Sequence, residues 1–233
     1  MIPIGDERRA GFFAIGTWLI VAINVYVFGL EISAPRIDRF INGYALIPYN
    51  LTHGIQLDPP AAHPYWLMPI TAMFLHGSML HIAFNMLFLL LFGPEIERYL
   101  GTVRFLIAYV LCGLAGGAAQ VLVFPSSHIP EIGASGAIAG ILGAYLVTFP
   151  TNTINTILPI GCFPLFLRLP AFLVIGAWAA IQFVHGFGAV DVRTDHGGTA
   201  YFAHIGGFTF GALVVGLGLL RGRRAGLGPR RAR

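Results

Sequence analysis

The chain has 233 residues, of which 56% are hydrophobic and only 10% are charged. Soluble domains carry about 25% charged residues, so this composition excludes a soluble globular protein of this size and indicates one that crosses a membrane repeatedly. All 14 basic residues are arginine, and the formal net charge of +4 gives no indication of a nucleic-acid partner.

Six apolar runs, separated by charges and prolines, are predicted to span the membrane as helices. The first follows Arg8 and Arg9 and shows no small-residue cleavage site, so we interpret it as a retained signal anchor with no cytosolic domain ahead of it. The approximate bounds are Gly11–Leu30, Met79–Phe92, Arg104–Val123, Ser135–Phe149, Pro170–Phe187 and Ala203–Leu220.

Residues 31–78 form the long connection between the first two spans and contain several prolines and aromatic side chains. Apolar residues such as Leu46 and Trp66 make this connection too hydrophobic for a freely solvated loop. Because aromatic rings favour the headgroup level of a bilayer, we expect the connection to lie in the membrane interface.

The arginines are distributed unevenly between the two sides that these spans define. With the N-terminus inside, eleven arginines fall on the inner side and three on the outer side. This bias predicts cytoplasmic termini and an external 31–78 loop, in a plasma membrane of prokaryotic type. Residues 1–233 then form one membrane domain, with residues 1–10 as its cytoplasmic N-terminus and residues 221–233 as a basic cytoplasmic tail that contacts lipid headgroups.

The fourth span is too short to cross the membrane fully. From Ser135 to Pro150 it covers about 22 Å of helix, against about 30 Å for the hydrocarbon core. Ser135 is therefore expected at a helix N-terminus below the outer surface, on the floor of a recess that water reaches, because irregular backbone at that depth needs protein or water beside it. The alternative is a serine that only caps its own helix.

Three more polar residues are expected at the depth of Ser135. His204 lies at the outer end of the sixth span, and His81 and Asn85 share one face of the second span because they are four residues apart. Polar groups inside spans are costly and usually functional. The alternatives are a packed His204, a structural His81, and an Asn85 that bonds between helices.

Small-residue patterns predict that the serine and histidine helices cross closely. Gly136-x-x-x-Gly140 directly follows Ser135, and Gly207-x-x-x-Gly211 directly follows His204. Such patterns allow helix backbones to approach. A third pattern in the third span has the sequence Gly113-x-x-x-Gly117.

A serine and a histidine in contact are the minimum for nucleophilic catalysis. His204 would take the proton of Ser135 and return it to a leaving amine. The Ser135 amide, Asn85 and His81 would donate hydrogen bonds to the developing oxyanion. The chain contains no CxxC or HExxH motif, and we expect Cys112 and Cys162 to be reduced thiols rather than a disulfide or metal pair, so neither a metal nor a cofactor is predicted.

These residues resemble the rhomboid family of intramembrane serine proteases over about His76 to Gly211. The matching segments are FLHGSMLHIAFN, FGPEIERYLG, GASGAIAG and AHIGGFTFG, in the family's order and spacing. The resemblance implies an all-α, six-helix transmembrane bundle and a dyad of Ser135 and His204 without an acidic third member. It also implies an oxyanion site formed by Asn85, His81 and the Ser135 amide.

The resemblance further implies that Glu97 and Arg98 belong to a structural loop between the second and third spans. The implied substrates are transmembrane proteins in a lipid bilayer, cleaved in or near their membrane segments. Some relatives carry an aromatic residue four positions after the serine, where this chain has Ala139. The group that orients His204 is therefore not identified, and Gln182 and Trp178 of the fifth span are interpreted as packing or as lining an entry.

A transporter and a catalytically inactive relative are the two alternatives to a protease. A transporter would show inverted repeats and an ion-coupling carboxylate inside a span, and we find neither in the sequence. A catalytically inactive relative that binds membrane clients would have lost the serine or the histidine, and both are present. The sequence gives no indication of the natural substrate or the oligomeric state.

Overall fold

The computed structural model describes residues 1–6, 12–55, 63–160, 163–192 and 199–224. Within these ranges, five helices are long and apolar enough to cross a membrane, and a shorter apolar helix begins at Ser135. The chain is therefore a multi-pass integral membrane protein built as a helical bundle, as predicted. Arg8, Arg9, Cys162 and residues 225–233 of the predicted tail lie outside the described residues.

The helix bounds agree closely with the predicted spans. In chain order the helices are α1 Ile15–Ser33, α2 Ile37–Tyr44, α3 Pro48–His53, α4 Met68–Thr71, α5 Met79–Leu100, α6 Thr102–Val123, α7 Ser135–Thr148, α8 Ala171–Val192 and α9 Tyr201–Arg224. Short 3-10 turns cover Tyr65–Leu67 and Ala72–Phe74.

Helix α5 is longer than its predicted span. It continues through Pro94 and ends at Leu100, so Glu97 and Arg98 lie in its last turns and not in a loop. Proline is tolerated inside membrane helices because neighbouring groups can satisfy the freed backbone. Gly101, with φ +81°, ends the helix and lets α6 begin at the next residue.

Helix α7 is the centre of the bundle, and every residue from Gly136 to Tyr145 is buried. The predicted close crossing with α9 is confirmed. A Cβ added to Gly207 would overlap the carbonyl oxygen of Gly136, and one added to Gly211 would overlap that of Gly140. The two backbones thus touch over one full turn, which only glycine allows.

The connection between α1 and α5 packs against the bundle. Leu46, Met68 and Ala72 form a small apolar core of their own, beside the main one. Gly113 of α6 faces Met73 of this connection, and Gly117 faces Leu46. The third glycine pattern therefore packs against the connection and not against another membrane helix. Part of the hydrophobicity that predicts an interfacial loop is therefore explained by protein packing.

A three-stranded antiparallel sheet was not predicted from the sequence. Its strands are β1 Ile2–Asp6, β2 Thr153–Ile160 and β3 Phe163–Pro170, in the order β1-β2-β3. Strand β1 precedes the first membrane helix, whereas β2 and β3 connect α7 to α8. Their pairing places the N-terminal strand and the α7–α8 connection on the same side of the bundle.

Candidate active site

Ser135 and His204 meet where α7 and α9 cross. Ser135 is the first residue of α7, and His204 lies in the first turn of α9. The Ser135 Oγ lies 2.8 Å from the His204 Nε2, within hydrogen-bond distance. Contact is possible because the glycines that follow each residue bring the two backbones together.

The second ring nitrogen of His204 also has a partner. Its Nδ1 lies 2.7 Å from the Oε1 of Gln182 on α8, and both side chains are buried. Interpretation of Gln182 as packing alone does not account for this hydrogen bond. The sequence feature that indicates such a role is the amide itself, because a polar group within an apolar span usually has a specific partner.

His81 lies beside Gly133, in the segment that leads to the serine. Its Nδ1–H donates to the carbonyl of His76 over 2.6 Å, so in the neutral ring the proton is on Nδ1 and Nε2 is an acceptor. The position that a Cβ on Gly133 would take lies 2.8 Å from this Nε2 and 3.6 Å from Ser135 Oγ. Nε2 of His81 can therefore donate to a group beside Ser135 only when the ring is an imidazolium.

Asn85 follows His81 by one helical turn on α5 and is 7% exposed. Its Nδ2 is buried and has no hydrogen-bond partner among the residues that the structure describes. An unsatisfied buried donor costs about 1–3 kcal/mol and calls for an explanation. A donor held ready for a ligand oxygen is one such explanation.

The segment before Ser135 is held by the α1–α5 connection. Leu46 and Glu131 exchange backbone hydrogen bonds as an isolated antiparallel bridge. The Gly133 N–H then donates to the carbonyl of Ala72 over 2.9 Å. These bonds satisfy irregular backbone beside the membrane core and fix the approach to the serine.

A buried carboxylate orders the turn that carries His76. Glu31, at the end of α1, accepts hydrogen bonds from the backbone N–H groups of His76 and Gly77. Burial, with a smaller contribution from the charge on His81, lowers the pKa of His76 to about 4. His76 is therefore neutral near pH 7, and its carbonyl positions the His81 ring.

The site thus contains a hydroxyl, a base that can accept its proton, and candidate donors for an oxyanion. Ser135 also supplies its own N–H at a helix start, where backbone donors lack partners within the helix. Among the described residues, no group of three or more His, Cys, Asp or Glu side chains is placed to hold a metal ion.

Comparison with known proteins agrees with this architecture. The sequence profile of the Rhomboid domain matches residues 63–221. The chain is 31% identical to "Rhomboid protease GluP" of Bacillus subtilis over 205 residues, which cover 86% of this chain and 35% of that protein. It is 29% identical to "Rhomboid protein 1, mitochondrial" of Saccharomyces cerevisiae over 201 residues, covering 84% and 51% of the two chains.

Similarity also extends to a relative described as inactive. "Inactive rhomboid protein 1" of Drosophila melanogaster is 34% identical over 77 residues, which cover 33% of this chain and 5% of that protein. The chain spans only about a third to a half of the length of the Bacillus and yeast relatives. Since the domain profile covers more than half of the chain, the protein belongs to the rhomboid family.

Proposed function

We propose that this protein is an intramembrane serine endopeptidase that hydrolyses peptide bonds in or near the transmembrane segments of membrane proteins. Ser135 is the nucleophile and His204 is the general base. The observation that carries the proposal is the 2.8 Å contact between Ser135 Oγ and His204 Nε2 at the start of the central helix.

The reaction begins when Ser135 attacks a substrate carbonyl and His204 Nε2 accepts the hydroxyl proton. The imidazolium then gives that proton to the leaving amine, and an acyl enzyme remains. Water attacks the acyl carbonyl, His204 accepts a proton from the water, and Ser135 leaves with that proton. The dyad has no carboxylate, so the imidazolium that forms is balanced mainly by the negative charge of the tetrahedral intermediate.

The oxyanion of that intermediate needs donors on the serine side of the substrate carbonyl. The Ser135 N–H donates at the positive end of the α7 dipole. Asn85 donates through Nδ2, which is buried and lacks a partner among the described residues. His81 contributes a donor only in its protonated form, because its Nδ1–H is already bound to His76.

The depth of the site determines what a substrate must do. A transmembrane helix hides its carbonyls in its own hydrogen bonds, so the segment to be cut must unwind before a carbonyl reaches Ser135. We therefore expect cleavage beside weak helix formers such as glycine or proline. The lipid bilayer is the medium of the reaction, and neither a cofactor nor nucleic acid takes part.

The similarity to an inactive relative makes a non-catalytic client-binding protein the second candidate. That candidate does not require a hydrogen-bonded Ser–His pair, whereas this chain keeps both residues in contact. The unsatisfied Asn85 amide also favours catalysis, because a purely structural asparagine would be expected to bond to a neighbouring helix.

Labelling with a fluorophosphonate probe distinguishes these candidates. We expect wild type in detergent or bilayer to label, and Ser135→Ala and His204→Ala to label at least about 100-fold more slowly, as loss of a nucleophile or base implies. The matched control is Ser126→Ala, which removes an exposed serine from the segment before α7. Absence of labelling in wild type, or equal labelling of Ser135→Ala, contradicts the proposal.

A further inference from the structure

Resting on the proposed function, we propose that Gln182 is the positioning residue of the base: its side-chain oxygen selects the His204 tautomer whose Nε2 accepts the Ser135 proton. General-base action requires the ring proton to be on Nδ1, because only then is the Nε2 lone pair free. The Gln182 Oε1, 2.7 Å from Nδ1, is an acceptor placed to hold that proton.

The orientation of the Gln182 amide follows from its other contact. Its Nε2 donates to the carbonyl oxygen of Trp178, one turn earlier on α8, over 3.4 Å. A carbonyl oxygen only accepts, so the NH₂ group must face Trp178 and the oxygen must face His204. Donation therefore runs in one direction, from the His204 Nδ1–H to the Gln182 oxygen and from the Gln182 NH₂ group to the Trp178 carbonyl.

The same part of α8 also limits rotation of the imidazole. The Trp178 ring lies 5.8 Å from the His204 ring, with 38° between their planes. Position 139 of α7, four residues after the serine, is an alanine, which is too small to pack over the ring as an aromatic side chain would. Helix α8 thus supplies both the hydrogen-bond acceptor and the aromatic wall.

Burial strengthens the effect of this neutral acceptor. Gln182 is 8% exposed and His204 is 9% exposed, so little water is present to compete for Nδ1. The titratable group that interacts electrostatically with His204 is His81 of α5, while α6 approaches α9 through glycine, alanine and the backbone of Cys112. Among the described residues, no carboxylate bonds to the ring, and the amide is the group that fixes its proton.

Two variants of Gln182 separate positioning from packing. Gln182→Met keeps the length of the side chain and removes the acceptor. The kcat for a transmembrane reporter and the rate of fluorophosphonate labelling should then fall roughly 10- to 100-fold, with KM unchanged. A loss of this size is typical when the second nitrogen of a functional imidazole loses its partner. Gln182→Glu restores an acceptor of the same length and should recover most of the rate. Its carboxylate should also move the acid limb of the rate–pH profile upwards, because a negative charge favours the imidazolium.

The matched control is Val184→Met, which alters an exposed position on the same helix and should leave these rates unchanged. A readout independent of activity is ¹⁵N NMR of histidine-labelled protein, with the His204 signals assigned by comparison with His204→Ala. Wild type should show the Nδ1–H tautomer, and Gln182→Met should show a mixture. If Gln182→Met retains both the tautomer and the wild-type rates, or Gln182→Glu is as slow as Gln182→Met, this inference is wrong. If wild type itself neither labels nor cleaves, the proposed function fails, and the NMR signals still test the contact.

Discussion

At the scale of single residues, Glu97 connects three membrane helices. Its carboxylate accepts from the N–H groups of Gly16 and Thr17, each over 2.7 Å, at the start of α1. It also accepts from the hydroxyls of Thr17 and Thr102, each over 2.8 Å. A buried carboxylate is stable there because four donors and the α1 dipole replace its water.

Glu97→Gln should therefore destabilise the protein. The new NH₂ group faces donors, and the loss of charge-assisted bonds should lower the free energy of unfolding by about 1.5–3 kcal/mol. Glu95→Gln is the control, since among the described residues Glu95 has the single ion-pair partner Arg98, which is exposed, and a glutamine oxygen can still accept from it, so this change should cost less than Glu97→Gln. The melting temperatures of the two variants are measured in the same detergent. Equal melting temperatures would contradict the assigned role of Glu97.

His76 should make stability depend on pH. Its pKa is lowered from 6.5 to about 4 in the folded protein, so the unfolded chain binds the proton more readily. The contribution of neutral His76 to the free energy of unfolding is fully present above pH 6.5. It is lost as the pH drops from about 6.5 to 4, and the loss is at most about 3 kcal/mol. Melting temperatures at pH 7.5 and 5 test this, and His76→Phe should lose less stability on acidification than wild type.

At the scale of elements, the crossing of α7 and α9 determines whether the site exists. A Cβ on Gly211 would overlap the Gly140 carbonyl oxygen, which belongs to a helix backbone and cannot rotate away. The two helices would have to separate, and such overpacking costs typically about 1–3 kcal/mol. Ser135 and His204 depend on the same crossing and would move apart with it.

Gly211→Ala should consequently lower both the melting temperature and the rate of fluorophosphonate labelling. Gly216→Ala is the matched control, because it lies on the same helix and a Cβ there would meet nothing within 4 Å. The melting temperature and the labelling rate of the two variants, measured side by side, test this prediction. A Gly211→Ala protein with wild-type labelling would show that the dyad does not depend on this contact.

At the scale of the whole molecule, the sheet constrains the path of the chain through the membrane. Because β1 pairs with β2, residues 2–6 and the α7–α8 connection lie on one side, in agreement with an even number of crossings between them. The arginine distribution predicts that this side is cytoplasmic. The segment before α7, at the other end of that helix, is then external.

Cysteine accessibility tests this orientation in intact cells that express a Cys162→Ser background, in which Cys112 is buried. Ser126→Cys, in the exposed segment before α7, should react with a membrane-impermeant maleimide added outside. Thr151→Cys, exposed after α7, should react only after the cells are opened. The opposite pattern would reverse the topology.

The sequence by itself determined the bundle and its candidate chemistry. Apolar runs predict the spans because a bilayer requires long hydrophobic helices, and the structure reproduces their bounds within a few residues except at the end of α5. The start of α7 at Ser135 and the glycine crossing are also local properties of the sequence. Each is predicted from features that are local in the sequence: the length of a span, or the small residues of the two helices that cross.

Only the tertiary structure decided which distant groups meet. The contact of Gln182 with His204 depends on how α8 and α9 are rotated about their axes, which an apolar helix with weak periodicity does not encode. The same is true of Glu97, whose donors come from α1 and α6, and of the sheet, in which β1 pairs with a strand that follows four membrane helices later. Hydrogen bonds between remote segments are fixed by packing, and packing is a property of the whole bundle.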